Sequence, residues 1–112
     1  MTTIHQLAHY IELLDCYRSM LTPHQQEIAT LYFEENLSYG EIAAQSQTSR
    51  TAAYAAVKRL CATLDQLEHK LGLLHRREAL IALVNDAYDH RKSKAELAAE
   101  VRQLIVATRE GE

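Results

Sequence analysis

The stretch Ser38-Tyr39-Gly40-Glu41-Ile42-Ala43-Ala44-Gln45-Ser46-Gln47-Thr48-Ser49-Arg50-Thr51-Ala52-Ala53-Tyr54 decides the fold. Ser38 with Glu41 three residues on is a capping box, in which each side chain answers the other residue's backbone N–H. It starts a short helix at Tyr39 that ends near Ser46, with Ile42 and Ala43 facing a core. Ser46-Gln47-Thr48-Ser49 is wholly polar and reads as a tight turn. Ser49 or Thr48 then caps a second helix opening at Arg50. A short helix, a turn of about four residues and a second helix opening with Ser-Arg is the layout of a helix-turn-helix. An ordinary helical hairpin with no ligand has the same layout.

Upstream, Thr22-Pro23-His24-Gln25 gives a threonine cap, proline at the first helical position and glutamine at the third. That predicts a helix to about Glu35, with Ile28, Leu31 and Tyr32 inward, broken at Asn36-Leu37. Before it, Ile4, Leu7, Ala8, Ile11, Leu14, Cys16, Tyr17 and Leu21 recur at helical spacing, predicting a first helix from about Thr3 to Met20.

Downstream, the second helix of the motif carries Val57, Leu60, Leu64, Leu67, Leu71 and Leu74, spaced alternately three and four. That is the apolar seam of a coiled coil. Past Leu74 the register would place Glu78 and Asn85 in the seam, so a kink, turn or new helix is expected between Gly72 and Arg77. Leu80, Ile81, Leu83, Val84 and Tyr88 begin a second apolar stripe. Ser93-Lys94-Ala95-Glu96 is a third capping box, opening a last helix with Leu97, Val101, Leu104, Ile105 and Thr108 on one face. The tail Glu110-Gly111-Glu112 is expected to fray. The chain is therefore all-α, in three stretches. A helix-turn-helix domain covers 1–60, a long helix bearing the seam continues over 57–89, and a C-terminal helix covers 93–109. The seam needs a cover: a second copy, giving a homodimer, or the C-terminal helices folded back. The homodimer is the expectation, because a palindromic site would call for paired helix-turn-helix units.

Composition narrows the function classes. In 112 residues there are three glycines and one proline, too few for a fold of many strands and turns. No apolar run reaches the ~18 residues of a membrane span, so no membrane insertion is expected. Nor does the start resemble a secretion signal, and Cys16 and Cys61 sit within helical patterns. They read as reduced thiols in a cytoplasmic protein. The net charge is -3, unevenly spread: residues 1–48 hold one basic residue against six acids, and residues 49–112 eleven against nine. Only a local basic face is available to nucleic acid.

If the second helix enters a groove, its first turns make the contacts. Ser49 and Thr51 can bond phosphate, and Arg50 can reach phosphate or a guanine edge. Tyr54 lies one turn on, and Lys58 and Arg59 would meet the backbone. The competing reading makes the cations a solvated helix face and Tyr54 a core residue. Glu34, Glu35 and Glu41 would repel phosphate if they lay nearby. His75-Arg76-Arg77 and His90-Arg91-Lys92-Ser93-Lys94 are further basic clusters, able to touch RNA or an acidic protein face but read first as hinges and solvated surface. His5 and His9 are four apart, a spacing that can hold zinc, but no third ligand is evident and no metal site is predicted. No phosphate-binding glycine loop, paired carboxylates or activated cysteine is visible, so neither a cofactor nor an enzyme is expected.

Leu21-Thr22-Pro23-His24-Gln25, Leu31-Tyr32-Phe33, Ser38-Tyr39-Gly40-Glu41-Ile42-Ala43 and Ser49-Arg50 followed by Ala52, Tyr54, Val57, Lys58 and Arg59 resemble the YlxM family. These are small bacterial helix-turn-helix proteins, similar in their first part to region four of sigma factors. The resemblance covers about residues 10–75. It implies a regulatory or accessory role in the signal recognition particle pathway, with the particle's GTPase, its small RNA or DNA as partners. Two other readings remain: a transcription regulator unrelated to the particle, and a protein-interaction module without nucleic-acid binding. The family usually carries a large apolar residue, then Asn or Gly, then Val before the Ser-Arg pair. Here Ser46, Gln47 and Thr48 stand there, so Gln47 is expected to adopt a left-handed conformation that Gly or Asn takes more easily.

Overall fold

A computed structural model describes residues 3–90 and 93–110, and the side chains of 3–89 and 93–106. The described residues form six α-helices and no strand: α1 (Ile4–Tyr17), α2 (Pro23–Ala29), α3 (Tyr39–Ser46), α4 (Arg50–Leu71), α5 (Leu73–His90) and α6 (Lys94–Glu110). The chain divides into two compact units, residues 1–67 and 68–112.

Local chemistry sets the helix starts in the first unit. Thr3 with Gln6, Thr22 with Gln25 and Ser38 with Glu41 each form a complete capping box. The Ser49 hydroxyl accepts from the Ala52 N–H at 3.0 Å and caps α4. Such caps typically contribute about 1 kcal/mol each. The helix ends are equally specific. α1 tightens into a 3₁₀ turn at Arg18–Met20, and α2 widens into a π-helical turn at Thr30–Glu34. There the Glu35 N–H reaches the Thr30 carbonyl at 2.9 Å. Asn36 follows with φ 57°, a left-handed conformation that asparagine tolerates. α3 ends on Gln47 at φ 56°, ψ 44°, and the Thr48 N–H returns to the Ala43 carbonyl at 2.9 Å. This is a Schellman closure with a non-glycine residue at its left-handed position, as expected for Gln47.

The core of the first unit holds Leu13, Leu14, Tyr17, Leu21, Ile28, Ala29, Leu31, Phe33, Ile42, Ala43, Ala53, Val57, Leu60 and Leu64. Fully burying one such leucine stabilises by roughly 1.5–3 kcal/mol. Polar ties fix the helices around this core. The Tyr10 hydroxyl on α1 donates to Asp65 Oδ2 on α4 at 2.9 Å, and Gln25 Nε2 on α2 donates to Thr63 Oγ1 on α4 at 3.1 Å. Gln26 Nε2 donates to the carbonyls of Arg18 and Leu21, at 3.0 and 3.2 Å, closing the α1–α2 corner.

This burial corrects the expectation for the seam at three positions. Val57, Leu60 and Leu64 are 4%, 0% and 0% exposed within a single chain, so no second copy is needed to cover them. Leu67 and Leu71 are half-buried, and Leu74 is buried.

The second unit contains the last turn of α4 with α5 and α6. The expected break falls at Gly72, which has φ 62°. Its N–H bonds the Glu68 carbonyl at 2.8 Å and its own carbonyl accepts from the Arg76 N–H at 3.0 Å, so it ends α4 and opens α5. The long helix drawn over 57–89 is thus two helices. The Glu68 side chain spans the break and accepts from the backbone N–H groups of Leu74 and His75, both at 3.1 Å. A carboxylate on otherwise unpaired N–H groups at a helix start is favourable. The Ser93 hydroxyl caps α6 by accepting from the Glu96 N–H at 3.2 Å. α5 and α6 form an antiparallel hairpin in which Ala79 and Leu83 meet Glu100, Gln103 and Leu104 across a shallow cleft. In the expected hinge, Arg91, Lys92 and the side chain of His90 lie outside the described residues, as do the side chain of Thr108 and the tail from Gly111.

Candidate nucleic-acid interface

The predicted contact residues all sit on the turn and first turns of α4, and all are exposed: Ser49, Arg50, Thr51, Tyr54, Lys58 and Arg59. Helical spacing divides them. Arg50, Tyr54 and Lys58 are four apart and share one stripe, flanked by Thr51. Arg59 lies on another side of the helix, with Ala52 and Ala56. There it lines a cleft of about 200 Å³ with His24 and Ile28 of α2, Ile42 and Ser46 of α3, and Thr48 of the turn. Ser46 and Thr48 stand where the resemblance implies a large apolar residue and a valine, and the cleft opens beside them.

Tyr54 is 44% exposed, neither a core residue nor isolated. Its ring meets Tyr39 edge to face, centroids 5.2 Å apart at 87°, and Lys58 Nζ lies 5.5 Å from its centroid. Tyr39 in turn stacks on Tyr32, centroids 5.6 Å apart and 6° from parallel, and Tyr32 meets Phe33 edge to face at 4.9 Å. A line of aromatic rings therefore runs from the π-helical turn through the start of α3 to the stripe on α4. It fixes Tyr54, and the cation–π contact draws Lys58 toward the same face. Hydrogen bonding to Tyr32, then burial, pushes the Tyr39 hydroxyl up to about 12. Sequence reasoning missed it because the rings come from positions 32, 39 and 54, with no periodicity linking them.

Two of the three acids expected to oppose phosphate have local tasks. Glu34 pairs with Arg18, whose guanidinium also reaches Thr30 Oγ1 at 3.4 Å. Glu41 closes the α3 capping box, and hydrogen bonds from the Ser38 backbone, then its side chain, hold the Glu41 carboxyl below the usual range. Glu35 is exposed.

Burial, then the Asp65 charge, pushes the Cys61 thiol up to about 11, leaving it protonated and a poor nucleophile at neutral pH. Among the described residues no group of three or more His, Cys, Asp or Glu is placed to hold a metal ion, and no helix is long and apolar enough to cross a membrane.

The family model described as "Putative helix-turn-helix protein, YlxM / p13 like" matches residues 4–104, so the likeness extends past the 10–75 read from the motifs into α5 and most of α6. A UPF0122 protein of Geobacillus kaustophilus is 44% identical over 96 residues, covering 82% of this chain and 87% of the relative. UPF0122 proteins of Halalkalibacterium halodurans and Mycoplasma capricolum are 36% and 32% identical, covering 82% and 84% of this chain and 87% and 83% of theirs. With an all-α fold, a capped α3–turn–α4 unit and this match over most of its length, the chain belongs to the YlxM/p13-like UPF0122 family.

Proposed function

We propose that this chain is a non-enzymatic, cytoplasmic regulatory or accessory protein that binds nucleic acid through the exposed face of α4. The observation that carries this reading is the stripe of Arg50, Thr51, Tyr54 and Lys58 on the second helix of the motif, beside its capped N-terminus. Ser49, Arg50 and Thr51 supply donors to phosphate at the helix start, Arg50 can reach a guanine edge, and Tyr54 with Lys58 adds an aromatic and a charged contact one turn on. Arg59, from its cleft, takes the flanking backbone. The family resemblance supplies the setting: the signal recognition particle pathway, with the particle's small RNA or DNA as the nucleic acid and its GTPase as a protein partner. The protein acts as a homodimer, as paired helix-turn-helix units on a palindromic site would require.

A protein-interaction module is the second reading, favoured by the acidity of residues 1–48, which hold one basic residue against six acids. Binding to duplex DNA, to the particle's RNA and to its GTPase, each titrated at two salt concentrations, separates the two. If Arg50, Lys58 and Arg59 each meet a phosphate, affinity for duplex DNA falls roughly 40-fold per chain between about 50 and 200 mM salt. Binding to the GTPase alone, indifferent to Arg50→Ala, would support the second reading and overturn the first.

A further inference from the structure

The apolar residues of α5 divide between two sides of the helix. Leu83 and Ala87 turn inward, Leu83 against Leu104 of α6 and Ala87 to 8% exposure. Ile81, Val84 and Tyr88 turn outward, 54%, 53% and 84% exposed. Positions 77, 81, 84 and 88 are spaced four, three and four, a seam on the face that α6 leaves open. A helix apolar on two sides normally has both covered.

We infer that this stripe is where two copies of the chain pair, α5 against α5 in antiparallel orientation. This gives the homodimer of the preceding section an interface, and it moves that interface away from Val57, Leu60 and Leu64, which the chain's own core already buries. The stripe is complementary to itself only when reversed. Setting Ile81 against the partner's Val84 brings Val84 against the partner's Ile81 and places Arg77 opposite the partner's Tyr88, beside the partner's Asp89. Each end of the seam then pairs a guanidinium with an aromatic ring and a carboxylate, twice by symmetry. A parallel pairing would set Arg77 on Arg77 and leave Asp89 beside Asp89. Two helical hairpins joined in this way make a four-helix bundle.

The test is the mass in solution of the full chain, read by light scattering at about 100 μM, a concentration at which even a weak dimer of ~10 μM Kd is mostly assembled. The wild type is expected at twice the 12.7 kDa chain mass. Val84→Asp places a carboxylate in the seam at a position exposed in the single chain, and is expected at the mass of one chain, with self-association weakened at least ~100-fold. Its helical circular dichroism should not change. Equal mixing of Ile81→Cys with Val84→Cys under mild oxidation is expected to yield a disulfide between positions 81 and 84, identified by peptide mass, faster than either variant alone. A wild type of single-chain mass would overturn the homodimer altogether. A dimeric wild type with Val84→Asp still dimeric would overturn only this interface. Should Val84→Asp lose its helical signal, the cross-link decides, and equal rates in the mixture and the single variants would refute the antiparallel register.

Discussion

Leu60→Ala separates a core leucine from a seam leucine. Leu60 is 0% exposed in the single chain, at the level of Val57 and Leu64 on the same face of α4. Truncating a leucine buried to this degree removes its transfer free energy and leaves a cavity, and such changes cost about 2.7–5 kcal/mol in a well-packed host. A value of about 3 kcal/mol is a large share of what a unit the size of residues 1–67 can hold. At ~4–8 °C per kcal/mol for a domain of 60–100 residues, the transition should fall by roughly 12–24 °C. The assay is thermal unfolding followed by circular dichroism, with guanidinium unfolding in parallel to give the free-energy difference. Mass in solution should be unchanged for Leu60→Ala under native conditions. A Leu60→Ala protein that keeps wild-type stability but dissociates would refute the burial argument and return the seam to its coiled-coil role.

Gly72→Ala forces a left-handed residue to carry a Cβ, and although no atom lies within 4 Å of that Cβ, the backbone conformation should cost about 1 kcal/mol in denaturant unfolding. Gly72→Asn should cost less. Ser46→Leu fills part of the cleft beside the turn and should raise the thermal midpoint, by about 0.5–1 kcal/mol of stability, which differential scanning calorimetry can read. Burial, then the hydrogen bond to Asp65, pushes the Tyr10 hydroxyl from 10.0 up to about 12. Its contribution is therefore intact below pH 10 and lost as pH rises through the folded-state value. Guanidinium midpoints should fall between about pH 10 and 12, and Tyr10→Phe should lose part of that fall; a variant with the full alkaline decline would exclude Tyr10 as its source.

The elements legible in the sequence were those governed by local chemistry. The Thr22 and Ser38 boxes, the cap at Ser49, the break at Gly72 and the left-handed Gln47 each depend on a few neighbouring residues, and the structure has each of them. The complete box of Thr3 with Gln6 was equally local but went unread, and α1 was placed by its apolar spacing alone. What the pattern did not carry was the identity of neighbours distant in sequence. A three-four spacing of leucines defines one face of a helix but not what covers it, so Val57, Leu60 and Leu64 read as a dimer seam although they complete the core of their own unit. The apolar run from Leu80 to Tyr88 read as one stripe, yet α6 takes one side of α5 and leaves Ile81, Val84 and Tyr88 exposed. Ser49, Arg50, Thr51, Tyr54, Lys58 and Arg59, the residues proposed to meet nucleic acid, are exposed on the turn and on α4. The cleft that Arg59 lines, and the tyrosine line that holds Tyr54, needed three dimensions.

The central claim is that α4 presents a nucleic-acid-binding face, and the most direct measurement is the salt dependence of binding for the wild type beside Arg50→Ala. Anisotropy titrations against labelled duplex DNA and the particle's RNA, from about 50 to 200 mM salt, should give a steep slope for the wild type on at least one of them, shallower by about one for Arg50→Ala, with weaker binding throughout. Equal slopes and affinities for the two proteins, or no salt-sensitive binding to either nucleic acid, would contradict the account.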